Sequence, residues 1–199
     1  MRVMVIPSLK NITWQKVWEA VDAVRDRLLR ATKLLNEAGV PYAVIGGNAV
    51  ATWVRTVDPS LIRTTTDVDI LIDRADLDRV RQALEPGGFI YRHSAGIDMF
   101  LDGPGAKARD AVHVLFAKEK VRPHYELPTP AVKESEHAEE FQVLSLEALV
   151  RMKLTSNRDK DRMHVRDFVD ARLVDSSWPD RFPPVLAERL RGILATPDG

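Results

Sequence analysis

The sequence contains no cysteine, which excludes disulfide bridges and zinc sites built from cysteine ligands, and which fits a reducing compartment. It also has no excess of charge of either sign, because 29 basic residues balance 29 acidic ones. A protein that coats nucleic acid by charge alone is therefore disfavoured, although a local basic groove is compatible with a neutral total.

Long apolar runs are absent as well. No stretch approaches the roughly 18 uninterrupted apolar residues of a membrane-spanning helix, so we expect no membrane partner. The opening MRVMVIPSLK turns polar too quickly for a signal peptide. We therefore expect a cytoplasmic protein.

What the sequence does contain is the composition of an ordinary globular protein. Its 199 residues are 45% hydrophobic and 29% charged. This length allows one domain, or one domain with a small helical appendage. We predict a core over 1–140 that includes an N-terminal helix, and a helical C-terminal part over 141–199 that packs on it.

Apolar periodicity and turn residues predict alternating helices and strands. The predicted order is a helix over 14–38, a strand over 42–46, a helix over 48–54, a strand over 67–73, a helix over 75–84, strands over 95–103 and 110–117, a polar connection over 118–140, a short strand over 141–145, and helices over 146–157, 159–173 and 183–194. We interpret Trp14 and Trp18 as core or interface packing. The order indicates an α+β fold, a mixed sheet flanked by helices with a helical C-terminal part, in which the strands of Asp69 and His113 are neighbours.

Two aspartates separated by one residue open the strand over 67–73. Alternation along a strand sends Asp67 and Asp69 to the same face, about 7 Å apart. Their like charges repel, so burying both is costly unless a cation lies between them. Mg²⁺, held by one or two carboxylates, waters and substrate phosphates, suits this geometry. The alternative is a pair of exposed acids on a sheet edge.

The segment VIGGNAVATWV places Gly46 and Gly47 between a strand and a helix. Without side chains, they allow backbone N–H groups and the helix N-terminus to face a phosphate. Arg63 can meet a phosphate through two parallel hydrogen bonds, and Thr65 either donates its hydroxyl nearby or simply favours the strand. Together with the paired acids, these residues indicate phosphoryl transfer, whereas GGNAVA does not match the G-x-G-x-x-G of dinucleotide-binding folds.

The combined motif VIGGNAVATWV…RTTTDVDILID resembles the minimal nucleotidyltransferases of the polymerase-β-like superfamily, and it is most similar to the group that contains the AbiEii-type toxins of type IV toxin–antitoxin systems. That group has a G-G or G-S turn followed by R-x-T-x-D-x-D. The corresponding positions here are Gly46, Gly47, Arg63, Thr65, Asp67 and Asp69. The resemblance covers residues 40–117 well and 140–172 loosely.

The resemblance implies a nucleotidyltransferase-like sheet and the transfer of a nucleoside monophosphate from an NTP to an acceptor, such as a tRNA end, a protein or an antibiotic. It implies Mg²⁺, with Mn²⁺ as an alternative, held by Asp67 and Asp69. It also implies that Lys153 contacts the triphosphate, and that Asp161 or Asp167 is the acid that follows this lysine. A toxin of this group would have an antitoxin protein as its partner.

The chain departs from the family at the third carboxylate. The matching strand is DAVHVLFA, and the matching residue is His113. His113 replaces the general base, or weakens a second metal site, or is a partly buried strand histidine bonded to a neighbour. Asp98 and Asp110 are alternative sources of the third acid, although alternation points Asp110 to the other face.

A second charged segment is RMKLTSNRDKDRMHVR, with six Lys or Arg against two Asp. Lys153, Arg158, Asp161 and His164 approach one face at helical offsets. The alternative is a solvated helix pair with salt bridges. His164 and Asp167 provide too few ligands for a metal site of their own.

Three functions remain open. The first is a metal-dependent nucleotidyltransferase, toxin-like and acting on RNA, in which Asp67, Asp69, Lys153 and His113 carry catalysis. The second is a non-catalytic nucleotide-binding or interaction protein that kept the fold and lost the third acid. The third is a small-molecule nucleotidyltransferase of the antibiotic-modifying kind. The neutral total charge disfavours a large RNA footprint, whereas the local net charge of about +4 over 151–166 allows a small one.

Overall fold

The computed structural model describes residues 13–196. The helices and strands of this part of the chain are α1 (Trp14–Glu37), β1 (Ala43–Ile45), α2 (Gly46–Arg55), β2 (Val68–Ile72), α3 (Leu77–Leu84), β3 (Phe89–Ser94), β4 (Ile97–Asp102), β5 (Ala111–Phe116), β6 (Ser135–Ala138), β7 (Phe141–Leu144), α4 (Leu146–Ser156), α5 (Asp159–Asp170) and α6 (Pro184–Leu194). The expectation about a signal peptide concerns residues outside this range.

The strands form one mixed sheet in the order β3-β4-β5-β2-β1-β7-β6. β2 runs parallel to β5 and antiparallel to β1, while β1 runs parallel to β7. The outer pairs β3–β4 and β6–β7, and also β4–β5, are antiparallel. The predicted fold class is confirmed. The prediction that the strands of Asp69 and His113 are adjacent is also confirmed, because these two residues are direct partners in the register.

The central strands are covered on both faces, which explains their nearly continuous apolar sequences AVI and VDILI. α1 packs on β2, β5, β7 and α3, and it presents Leu28, Ala31 and Leu35 at helical spacing, all at most 5% exposed. Arg27 of α1 donates a hydrogen bond to Asp102 of β4. Because side chains alternate along β4, the register places Asp102 on the face of the sheet opposite to Asp69. α1 therefore covers the face opposite to the acid pair, and the acid face is left to α4 and α5.

Several predicted boundaries were wrong. β3 and β6 were not predicted, because edge strands pair on one side only and their sequences, FIYRHS and SEHA, lack a regular apolar alternation. α2 begins at Gly46 rather than at residue 48, and α5 ends at Asp170 rather than at residue 173. Asp67 lies one residue before β2, which still places it two positions from Asp69.

The proposed division at residue 140 stays a prediction, and the sheet crosses it. β7 begins at Phe141 and pairs with β1 in the middle of the sheet, so strands from both sides of residue 140 share one core cluster. α4, α5 and α6 follow β7 and pack on one another. The helices that complete the site are thus attached directly to the central sheet.

Two tryptophans at the start of α1 are not part of the core. Trp14 is 79% exposed and Trp18 is 65% exposed, so the interpretation as core packing was wrong and interface packing stays a prediction. Among residues 13–196, no helix is both long enough and apolar enough to cross a bilayer.

Candidate active site

The glycine pair makes room for the strand that carries the acids. Ile45 is the register partner of Asp69, so the turn after β1 lies directly against β2. A Cβ on Gly46 would lie 2.9 Å from Cγ of Asp69 and closer still to its Oδ2, while a Cβ on Gly47 would lie 2.7 Å from Oγ1 of Thr65. Gly46 also has a φ of +70°, which side chains rarely adopt. What approaches the glycines is therefore Asp69 and Thr65, and contact with a phosphate stays a prediction.

Asp69 and His113 stand side by side across β2 and β5. Nδ1 of His113 lies 3.8 Å from Oδ1 of Asp69, and the two side chains are 20% and 21% exposed. Burial raises the pKa of Asp69 above its usual value, and the neighbouring charge of Asp67 acts in the same direction, against the attraction of His113, Lys153 and Lys160. The carboxylate of Asp69 thus lies in a site where its negative charge is only partly compensated.

Asp67 is held by its backbone and by one cation. Nδ2 of Asn48, in α2, donates to the backbone oxygen of Asp67 at 2.8 Å, which ties the helix to the start of the acid strand. The hydroxyl of Thr66 donates to Oδ1 of Asp67 at 3.3 Å. Nζ of Lys160, in α5, lies 3.6 Å from Oδ2 of Asp67. Asp67 is one-third exposed and faces the cavity described below.

Lys153 reaches the site from α4 and is held by Asp161. Its ammonium is 3.3 Å from Oδ1 of Asp161, and both side chains are buried. Asp161 also accepts from Arg158 at 2.6 Å and from Ser156 at 2.7 Å. Burial alone would raise the pKa of Asp161, but these bonds and the charge of Lys153 lower it to about 2. Burial lowers the pKa of Lys153, and Asp161 opposes that shift. Asp161 thus fixes Lys153 and Arg158 as cations beside the acids.

A cavity of about 420 Å³ opens over this row of side chains. Asp67, Asp69 and His113 line it on the sheet side, and Lys153 on the α4 side. The remaining wall is largely apolar and comes from β4, β5, α4 and the loop over 118–134, with Ile97, Leu115, Tyr125, Leu127 and Met152. Thr129 fixes that loop, since its hydroxyl donates to the backbone oxygen of Phe116 at 2.5 Å. The cavity therefore combines a group of charged side chains with a largely apolar wall.

A smaller cavity of about 230 Å³ lies beside the first, between α2, α5 and the loop over 61–66. It contains Gly47, Thr65 and Arg63, and it shares Asp67 and Lys160 with the larger cavity. The predicted nucleotide-binding residues therefore fall into two groups. Gly47, Thr65 and Arg63 line the smaller cavity, whereas Gly46, Lys153 and Asp161 line the larger one.

The motif did not indicate the surroundings of two residues near the smaller cavity, Arg63 and His164. Nε of Arg63 bonds Oδ1 of Asp167 at 2.7 Å, which joins the loop before β2 to α5 and raises the pKa of Arg63. Burial, followed by the charge of Lys153, lowers the pKa of His164 to about 4. Within the described residues, Nδ1 of His164 is buried and has no hydrogen-bond partner. His164 is therefore neutral at pH 7.

Neither alternative acid takes the position of a third carboxylate, so both of those predictions were wrong. Asp98 is opposite Val114 in the register, which places it on the other face from His113, where it accepts bonds from Tyr91 and His93 at 2.5 and 2.9 Å. Asp110 precedes β5 and lies 4.0 Å from Arg27 of α1. The residue paired with Asp69 across β2 and β5 is His113.

The donor atoms fit a divalent cation that a substrate helps to bind. No three His, Cys, Asp or Glu side chains in residues 13–196 form a ready-made metal site. Asp67 and Asp69 offer oxygen ligands, which Mg²⁺ prefers, and His113 offers a nitrogen, which Mn²⁺ tolerates better. Two carboxylates, completed by water and triphosphate oxygens, are a usual Mg²⁺ environment.

Lys160 is the site residue that the sequence did not single out. It lies seven positions after Lys153, which continuous helical periodicity would place on the same face. The periodicity does not continue, because α4 ends at Ser156, the next residue Asn157 has a φ of +47°, and a separate helix, α5, begins at Asp159. Only the tertiary structure brings Lys160 to Asp67.

Comparison with known proteins identifies the fold. No protein-family model and no curated protein matches the chain. The crystal structure of ANT(2")-Ia in complex with adenylyl-2"-tobramycin is similar, with a TM-score of 0.55 and 14% identity over 87% of this chain and 98% of that chain. An antigenic nucleotidyltransferase-like protein from Paracoccidioides brasiliensis has a TM-score of 0.51 and 21% identity, over 88% of this chain and 87% of that chain. The chain therefore has a nucleotidyltransferase-like fold.

Proposed function

We propose that the protein is a metal-dependent nucleotidyltransferase, which transfers a nucleoside monophosphate from an NTP to an acceptor. The observation that carries this proposal is the position of Asp67 and Asp69, which we call the acid row. Both carboxylates line the cavity of about 420 Å³, and Gly46 lies against Asp69 at its edge. Any side chain at position 46 would overlap the carboxylate of Asp69, so glycine keeps this carboxylate in its place at the cavity, which supports a functional role for it.

The residues of the chain then have separate roles. Asp67 and Asp69 hold Mg²⁺ or Mn²⁺, which supplies positive charge for the triphosphate when it is bound. Lys153, fixed by Asp161, meets the phosphates as a preorganised cation. Gly47 and Thr65 approach the phosphates from the smaller cavity. The apolar wall of the larger cavity receives the nucleobase.

The reaction forms a bond between the acceptor oxygen or nitrogen and the α-phosphorus, and it breaks the bond between the α-phosphorus and the bridging oxygen of pyrophosphate, which leaves. The acceptor loses a proton in this step. His113, next to Asp69 and open to the cavity, accepts that proton in its neutral form. In this assignment His113 acts as the general base where related enzymes would place a third acid.

For the acceptor we propose an RNA end, as the resemblance to the AbiEii-type toxins implies, with an antitoxin protein as partner. The charges of the cavity support an anionic acceptor. Among the described residues three carboxylates line it, and Asp161 is already bonded to Lys153 and Arg158. Once Asp67 and Asp69 hold a metal, no free acid remains there for a polycation, whereas Arg122 is available at the rim.

A small-molecule acceptor is the second candidate. It is favoured by the similarity to ANT(2")-Ia, which has been solved with adenylyl-2"-tobramycin and is described as an antibiotic-resistance factor. Tobramycin is a useful probe because it is a polycation, so it tests the opposite acceptor charge.

The test is a transfer assay with each α-labelled NTP, in Mg²⁺ or Mn²⁺, with total tRNA or tobramycin as acceptor. We expect label on tRNA, and none when Asp67→Asn and Asp69→Asn are combined. Label on tobramycin alone would favour the second candidate. If neither acceptor is labelled while the NTP still binds at the acid row, both proposed acceptors are overturned, which leaves transfer to a protein or the non-catalytic alternative.

A further inference from the structure

Lys160 contacts Asp67, the first residue of the acid pair. Its Nζ lies 3.6 Å from Oδ2 of Asp67, and its side chain lines both cavities. It is 55% exposed, so packing does not fix its position. Lys153, by contrast, is 6% exposed and bound to Asp161. The two lysines therefore differ in their freedom to move.

The acid pair needs a positive partner even without a ligand. Asp67 and Asp69 lie on one face, and their like charges repel each other. Lys153 and Arg158 are both bonded to Asp161, which holds these two cations in place. The ammonium of Lys160, on a side chain that is 55% exposed, is the mobile positive charge that reaches Asp67.

We propose that Lys160 is a built-in counter-ion, which neutralises Asp67 in the empty site and moves to the phosphates of the NTP when a divalent cation binds the carboxylates. This inference rests on the proposed function. A divalent cation at Asp67 repels an ammonium a few ångströms away. The four-carbon stem of lysine is flexible, and Lys160 already borders both cavities, so the displaced ammonium stays close to the triphosphate.

This role predicts effects of opposite sign on two ligands. Lys160→Met removes the charge and keeps an apolar stem of similar length. The matched control is Lys118→Met, which removes a lysine that is 64% exposed and lies 3.2 Å from Asp73, away from the acid row. The probes are Mn²⁺ alone, measured by electron paramagnetic resonance on the nucleotide-free protein, and each of the four NTPs with Mn²⁺, measured by calorimetry.

We expect Lys160→Met to bind Mn²⁺ about three- to tenfold more tightly, because a competing like charge is gone, and the preferred NTP about tenfold more weakly. Lys118→Met should change neither affinity. Circular dichroism and thermal unfolding check that each variant is folded. A purely structural lysine would not strengthen the binding of a metal when it is removed.

Two negative results are distinguishable. If Mn²⁺ binding disappears in Asp69→Asn but is no tighter in Lys160→Met than in wild type, the counter-ion role is overturned and the proposed function stands. If neither wild type nor Lys160→Met binds Mn²⁺ alone, the counter-ion role is overturned, and if neither binds any NTP with Mn²⁺ either, the metal-dependent function is overturned with it.

Discussion

Replacing Gly46 by alanine tests the close approach on which the site is built. The new methyl group would overlap the carboxylate of Asp69, since its carbon would lie 2.9 Å from Cγ and 3.0 Å from Cβ of that residue. Asp69 cannot easily retreat, because its backbone is in the register between Ile45 and His113. The alanine must also adopt the φ of +70° that glycine adopts freely.

Two free-energy costs add up in the Gly46→Ala variant. The left-handed backbone costs an alanine about 1–2 kcal/mol. Forcing an extra carbon into a filled space typically costs about 1–3 kcal/mol more. We therefore expect Gly46→Ala to lower the free energy of unfolding by about 2–5 kcal/mol.

Gly39→Ala is the matched control. Gly39 has a similar φ of +59°, but a Cβ there would meet nothing within 4 Å, so this variant carries the backbone cost alone. Urea denaturation at constant pH gives both free energies. Adding Asp69→Ala to Gly46→Ala should restore part of the loss by removing the overlapping atoms. If Gly46→Ala costs no more than Gly39→Ala, the turn is not packed against Asp69 as described.

Two further substitutions address the histidines. His113→Asp supplies a third carboxylate beside Asp69, so calorimetry should show Mg²⁺ binding about tenfold tighter and a smaller preference for Mn²⁺; unchanged Mg²⁺ affinity would mean that the side chain at position 113 does not reach the metal. Because the pKa of His164 is lowered to about 4, the unfolded chain takes up a proton below pH 6.5 that the folded protein excludes, so stability falls as the pH drops. Between pH 7 and pH 5 this loss is about 2 kcal/mol, and His164→Gln should lack it in urea titrations at both pH values; an equal pH dependence in both proteins would contradict the assignment.

The acid row could be predicted from the sequence because it depends on local rules. Alternation along a strand determines that Asp67 and Asp69 share a face, and the apolar run around His113 indicates the neighbouring strand. The role of Gly46 could be predicted only in part. The sequence shows that something approaches the glycines, but the register of β1 against β2, which makes Asp69 the group that does so, is set by tertiary packing.

The parts that the sequence did not predict depend on contacts between distant segments. β3 and β6 are edge strands whose polar side chains give no periodic signal. Lys160 follows a helix break, so its approach to Asp67 cannot be deduced from helical spacing. Arg63 looked free to bind a phosphate, whereas Asp167, 104 positions later, is its partner in the structure.

The central claim is that Asp67 and Asp69 form the metal-dependent NTP site. Calorimetric titration of Mg·ATP and Mg·CTP into the wild type and into the combined Asp67→Asn and Asp69→Asn variant tests it most directly. We expect the wild type to bind at least one of them and the variant to lose this affinity, because amides replace the carboxylates that hold the metal. Equal affinity in the two proteins would place the nucleotide site elsewhere and contradict the assignment of Asp67 and Asp69.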